Sequence, residues 1–357
     1  MAHRRRRKRP SRAPLVLLIL ILLAVLLGLT AWAMLRETPC SGGVCPEVPT
    51  TEDTEPTTTE PPTTTQPPTT EPPTEPEPVA MRVVTPIQVL DAPREDGAPV
   101  QELAIGQQVE VLPAQEGWYA LEQGYVPSYA LREPETFLIV IDPGHQGKGN
   151  NEKEPVGPGA TEKKPKVASG TQGVSTGIPE YKLTLQVSLK LRDLLEAKGY
   201  QVMMIRTDHD VNISNAERAQ MANAQYADLF IRIHANGASD RSTNGVMTLC
   251  QTVDNPYNGD LFPYSKELSQ LVLEETVAAT GANRQFVWET DTMSGINWCR
   301  VPVTIVEMGY MSNPEEDQRM ATDSYQDLLA QGMAAGIDRY CAALPSLCAP
   351  NPEHEPQ

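Results

Sequence analysis

Three apolar runs beyond residue 136 of this 357-residue chain end on groups able to bind a metal ion or move a proton. His145 follows "FLIVIDPG", His234 follows "LFIRI" and Glu307 follows "VTIV". Glu180 adds a further carboxylate, just after Pro179 and at the start of a long amphipathic stretch. Of the five histidines, His3 and His354 sit in the tails, so two of the remaining three stand at these strand ends. Either imidazole alone would be an ordinary residue at the end of a strand, and Glu180 alone would complement a helix dipole. Taken together, two imidazoles and a carboxylate are a ligand set for catalytic zinc, with the fourth position left to water. Such an ion makes water a nucleophile near neutral pH and polarises the carbonyl under attack, so the chemistry expected is metal-assisted amide hydrolysis.

The elements that must hold these groups alternate. Strands read from "FLIVI", "QVMMI", "LFIRI", "VTIV" and, less regularly, "GVMTLC" are interleaved with helical patterns, which predicts an α/β domain over 136–344. The expected fold is a largely parallel sheet flanked by helices. The helix from Glu180 places Leu183, Val187, Leu191 and Leu194 on one face and ends at Gly199. Ligands in open α/β sheets collect beyond the carboxyl ends of the strands, where both histidines and Glu307 fall. The stretch 146–179 is expected to be a long loop without structure of its own, lying close to the site because candidate groups stand at both of its ends. The tail, 345–357, is expected to be disordered.

The region before this domain has four different characters. Residues 1–12 are basic, and 13–35 form an apolar run long enough to span a bilayer, which predicts a transmembrane signal anchor with the rest of the chain outside the cytoplasm. The competing reading is secretion after cleavage at Ala31-Trp32-Ala33. The linker 36–80 is dominated by Thr, Pro and Glu and is expected to be an extended spacer. Residues 81–133 carry short β-rich runs between turn residues and predict a small all-β barrel, with Trp118, Tyr119, Tyr125 and Tyr129 as core aromatics or as a groove. Setting aside the seven basic residues of the N-terminus takes the formal charge from −17 to −24, which argues against nucleic acid as a partner. Six cysteines lie beyond the apolar run, none in the Cys-x-x-Cys spacing of a structural zinc site; some disulfides and some buried thiols are expected.

Four stretches, "IVIDPGHQG", "PEYKLTLQVSLKLRDLLEAKGYQVMMIRTD", "ISNAERAQMANAQYADLFIRIHANGA" and "VPVTIVEMGYMSNPEED", resemble in sequence and in order the motifs of the zinc-dependent N-acetylmuramoyl-L-alanine amidases, bacterial cell-wall enzymes. That resemblance implies one zinc ion on His145, Glu180 and His234, with Glu307 as the catalytic glutamate. It implies peptidoglycan as the substrate, cut at the amide between N-acetylmuramic acid and L-alanine of the stem peptide. The run "GQQVEVL", Gly117-Trp118-Tyr119 and the closing "GYVPSY" resemble the bacterial Src-homology-3-like domain. Two features depart from the amidase pattern: Gln146 where a glycine is common, and the length of 146–179. His209 is a rival metal ligand, but the family does not use that position. Arg206 and Arg218 are candidates for substrate carboxylates or muramyl oxygens, with structural ion pairs as the alternative. Two other functions share these features: a zinc peptidase cutting within the stem peptide, and a non-catalytic wall-binding protein.

Overall fold

A computed structural model describes residues 76–347. The basic segment, the apolar run 13–35, residues 36–75 of the linker, Cys40, Cys45, Cys348 and the tail from 348 lie outside the described residues. Among the described residues no helix is long and apolar enough to cross a membrane. Cys250, Cys299 and Cys341 are buried thiols.

The first unit is a seven-stranded antiparallel sheet in the order β3-β2-β6-β5-β4-β1-β7. Its strands are β1 (Val79–Val83), β2 (Ile87–Leu90), β3 (Pro99–Leu103), β4 (Gln108–Pro113), β5 (Trp118–Leu121), β6 (Gly124–Pro127) and β7 (Leu131–Arg132). Its core is aliphatic, built on Val83, Val89, Leu103, Val111 and Val126. None of the four aromatics is fully buried; Tyr119 packs against that core from a partly buried position, and Tyr129 instead stacks on Tyr226 of the next domain, with ring centroids 4.6 Å apart.

That stacking belongs to a seam. Asp228 is wholly buried and takes Arg82 Nη1 at 2.5 Å, Arg132 Nη1, and the backbone N–H of Leu138 at 2.7 Å. Arg82, itself buried, also donates to the Thr136 carbonyl at 2.7 Å and lies over the Phe137 ring. Ile105, from the loop after β3, packs into the core of the second domain.

The second domain is a six-stranded sheet in the order β11-β8-β12-β15-β13-β14. Its strands are β8 (Leu138–Pro143), β11 (Gln201–Met204), β12 (Leu229–Asn236), β13 (Val246–Cys250), β14 (Arg284–Glu289) and β15 (Val303–Tyr310). The helices are α1 (Glu180–Ala197), α2 (Asn215–Ala224), α3 (Phe262–Thr280), α4 (Ser294–Asn297), α5 (Pro314–Met320) and α6 (Asp323–Leu347). The α/β class agrees with expectation, but the sheet is mixed rather than largely parallel, because β13 runs antiparallel to β15 and carries its parallel neighbour β14 with it. Only residues 237–245 join β12 to β13, too few for the crossover that a parallel return requires.

Side chains alternate across each strand. Ile139, Ile141, Ile231, Ile233 and Val306 face α1, α3 and α6; Val140, Phe230, Val303 and Ile305 face α2 and α4. The same parity sends Asp142, Arg232, His234 and Glu307 to the α2 and α4 side. On α1 the inward stripe runs through Leu183, Val187, Leu191 and Leu195, with Leu194 only partly buried.

Two further expectations are corrected. The stretch 146–179 is not structureless: β9 (Asn150–Pro155) and β10 (Lys163–Val167) form an antiparallel hairpin. Its strands, "NNEKEP" and "KKPKV", have no apolar face. They are held from outside by Trp298 Nε1 on the Pro155 carbonyl at 2.9 Å, Asn215 Nδ2 on the Lys166 carbonyl at 2.9 Å, and the Ala216 N–H on Glu154 at 3.2 Å. The chain also stays ordered past Pro345, since α6 continues to Leu347 with Leu344 in the core and Leu347 packed against it.

Candidate active site

The site sits where β8, β12 and β15 end. Asp142, near the end of β8, is wholly buried between Arg218 Nη1, 2.5 Å from its Oδ1, and Arg232 Nε, 2.9 Å from its Oδ2. Burial pushes this carboxyl up, but the two guanidiniums outweigh it and hold the pKa at about 2. After Asp142 the chain turns sharply, and His145 takes a left-handed φ of 59°. That conformation costs a non-glycine residue roughly 1 kcal/mol. It is fixed from beneath by Arg206, which donates to the carbonyls of Pro143, Gly144 and Tyr181 at 2.9, 3.0 and 2.8 Å, and by Arg218, which reaches the His145 carbonyl at 3.1 Å. Both arginines are buried, so they brace the turn that carries His145 and tie it to the start of α1. Gln146 does the same work: its Oε1 accepts from Arg218 at 2.9 Å and from the Ile213 N–H at 3.1 Å.

Glu180 is the first residue of α1, capped by Pro179 without a side-chain bond. Its Oε2 accepts from the Thr171 N–H at 2.8 Å and its Oε1 from the Ala235 N–H at 3.1 Å. The same Oε1 lies 3.0 Å from His145 Nε2 and 3.1 Å from His234 Nδ1, and those two nitrogens are 3.2 Å apart. Burial acts to raise the Glu180 carboxyl, yet its bonds to the two imidazoles hold it well below the usual carboxylate range. Burial pushes His234 down to about 4 despite Glu180 beside it, so this imidazole is neutral at physiological pH. His145 Nδ1 is 2.9 Å from the Ala168 carbonyl; the proton therefore sits on Nδ1, and the Nε2 lone pair points at the other two groups. Gly144 packs flat on the His234 ring, where a Cβ would come within 2.4 Å of Cε1.

Glu307 stands beside His234 in the register of β12 and β15, on the same face of the sheet. Its Oε2 is buried with no hydrogen-bond partner, as is His234 Nε2. Burial and the nearby Glu180 push the Glu307 carboxyl up to about 8, against the opposing pull of Arg232. Two cavities, of about 240 and 320 Å³, share His145, His234 and Glu307 as walls. His145, Glu180 and His234 are the one group of His, Cys, Asp or Glu among the described residues whose donor atoms converge as a metal site would require. His209 stays outside it, edge-on to Tyr181 and near Arg206. Sequence reasoning passed over Asp142 and Arg232, although each stands on the site's face of its strand by simple alternation.

A family model described as N-acetylmuramoyl-L-alanine amidase matches residues 139–339. The chain is 27% identical over 212 residues to an N-acetylmuramoyl-L-alanine amidase of Mycobacterium tuberculosis, covering 57% of this chain and 86% of that protein. It is 26% identical over 239 residues to the N-acetylmuramoyl-L-alanine amidase AmiC of Neisseria meningitidis, of which it covers only 52%. Among solved structures, the N-acetylmuramyl-L-alanine amidase of Mycobacterium smegmatis superposes with a TM-score of 0.53 at 25% identity, over 58% of this chain and 97% of that one. With the model spanning more than half of its length, the chain belongs to the N-acetylmuramoyl-L-alanine amidase family.

Proposed function

We propose that the domain over 136–344 is a zinc-dependent peptidoglycan amidase that hydrolyses the bond between the lactyl group of N-acetylmuramic acid and L-alanine. The observation that carries this reading is the convergence of His145 Nε2, His234 Nδ1 and Glu180 Oε1 to within 3.0–3.2 Å of one another. Three such atoms need a proton or a metal cation among them, and a tetrahedral zinc site with donors at about 2.0–2.1 Å would space them about 3.3 Å apart. The donor set therefore fits one zinc ion. When bound, zinc supplies Lewis acidity, polarising the amide carbonyl and making water nucleophilic near neutral pH.

The chain's own groups do the rest. The Ala168 carbonyl fixes the His145 tautomer, and the N–H groups of Thr171 and Ala235 orient Glu180, so these two donors are held by the chain itself. Glu307, beside His234 and with an unpartnered oxygen, takes a proton from the attacking water and returns it to the departing amine of L-alanine. The deciding experiment is to incubate the purified protein with peptidoglycan, with and without chelator, and identify the products by mass spectrometry. Release of stem peptides with a free L-alanine amine, abolished by chelator, is the expected result. Cuts within the stem peptide would make the protein a peptidase, and binding without cleavage would make it a wall-binding protein.

The same reading includes placement. The apolar run 13–35 would anchor the chain in the cytoplasmic membrane, with the Thr/Pro/Glu-rich stretch lifting the enzyme into the wall and a Src-homology-3-like unit over 81–133 beside the active domain. Protein found wholly in the medium fraction would replace the anchor by a cleaved signal.

A further inference from the structure

The 240 Å³ cavity is walled by Asn215, Arg232 and Gly295 as well as by His145, His234 and Glu307. Arg232 precedes His234 by two residues on β12, so the pleat turns both side chains to the same face. Its side chain is 4% exposed. Two of its three nitrogens are held, Nε by Asp142 Oδ2 at 2.9 Å and Nη2 by Asn215 Oδ1 at 2.7 Å. Among the described residues nothing accepts a hydrogen bond from Nη1. That nitrogen lies against Gly295, where a Cβ would stand 1.8 Å from it, so glycine is what leaves room for the guanidinium edge.

Three arginines, Arg206, Arg218 and Arg232, gather around Asp142, with Glu180 and Glu307 the further carboxyl groups of the site. Asp142 is shared between Arg218 and Arg232, and no carboxylate pairs with Arg206, whose nitrogens are taken chiefly by backbone carbonyls. A buried cation with an unused edge is complemented best by an anion, and a guanidinium edge suits a carboxylate. In a muramyl peptide the lactyl carboxyl is already tied up in the scissile amide. The carboxyl of L-alanine is in the next amide, so the first position along the peptide at which a free carboxylate can stand is the residue after it. From the scissile carbon such a group lies about 7 Å away, two residues of extended peptide; the backbones of Arg232 and His234 are separated by two residues of strand, a similar spacing.

We propose that Arg232 is a specificity-determining residue, forming with Asn215 and Gly295 a subsite for a free carboxylate on the second residue of the stem peptide. This rests on the amidase reading above. The test uses two synthetic muramyl peptides identical except that the second residue carries either a free α-carboxylate or its carboxamide, each cleaved by the zinc-loaded protein. The wild type should favour the carboxylate in kcat/KM by about tenfold to a hundredfold, chiefly through KM, as expected for one charge-assisted hydrogen bond. Arg232→Gln should bring the ratio to within about twofold of one. Gly295→Ala, which keeps the charge but displaces Nη1, should lower the ratio too and serves if Arg232→Gln does not fold. Equal cleavage of both compounds by the wild type would overturn the subsite and leave the amidase reading standing. A preference that survives in both variants would also overturn it. Failure to cut either compound, together with no release of stem peptides from whole peptidoglycan, would remove the amidase reading and the subsite with it.

Discussion

Two buried polar clusters in this protein differ in one respect: at the seam between the β unit and the amidase domain the carboxylate's oxygens find donors, and at the active site some polar atoms do not. Asp228 satisfies Oδ1 with Arg82 and Oδ2 with Arg132 and a backbone N–H. Around the converging His145, Glu180 and His234, the atoms His234 Nε2 and Glu307 Oε2 are equally buried and have no partner. An unsatisfied buried polar atom costs about 1–3 kcal/mol. Such a cost persists where something outside the chain completes the set. The seam thus reads as structure and the open cluster as function. The seam also bears on the β unit, which is joined to the amidase domain through buried charge rather than tethered beside it.

The comparison is broken most sharply at the proposed metal ligands. His145→Ala or His234→Ala should take zinc content from one ion per chain to near zero and turnover with it, while His209→Ala leaves both intact; elemental analysis of the three purified variants checks this. Zinc retained in either of the first two would refute the ligand assignment.

Glu307→Gln comes next. It keeps the shape of the side chain but cannot accept the proton, so turnover should fall by roughly a hundredfold to ten-thousandfold with zinc retained. Near-normal turnover would leave Glu307 as a support for its strand, and lost zinc would make it a ligand.

At the seam the loss should appear as stability. Asp228→Ala leaves Arg82 buried without its carboxylate and should cost about 3–5 kcal/mol in denaturant unfolding, with the metal content of the folded protein unchanged. Deleting 81–133 should destabilise the amidase domain for the same reason, and would then weaken cleavage of small fragments as well as attachment to the wall. A variant as stable as the wild type would show that the seam is incidental.

The smallest effect is on pH. Asp142 has its pKa lowered to about 2 from an ordinary value near 3.8, so its ion pairs stabilise the fold above that ordinary value and are lost as pH falls toward 2. The difference is worth about 2 kcal/mol. Unfolding curves at pH 5 and pH 3 in chelator should show wild type losing more stability between the two than Asp142→Asn. Equal losses would mean that the pair does not distinguish folded from unfolded chain.

Much of the chemistry was legible in the residues themselves. An apolar run ending on His or Glu reports both a buried strand and the polar group at its mouth, so His145, His234 and Glu307 could be located before any fold was known. Pro179 and Gly199 likewise bracket α1, because proline suits a helix start and glycine a helix end. What the sequence by itself determined was therefore local: where strands and helices run, and which reactive groups stand at their ends. The convergence of His145, Glu180 and His234 on one point was decided by tertiary structure, since those residues come from three separate elements. Sheet direction was decided there too, by which strand slots between β12 and β13. The hairpin over 150–167 escaped notice because bonds from α2 and Trp298 hold it, with no apolar pattern of its own to announce it. Arg232 escaped for a related reason: a lone arginine in an apolar strand shows its charge in the sequence, but Asp142, Asn215 and Gly295, which hold it and make room for it, come together only in the folded chain.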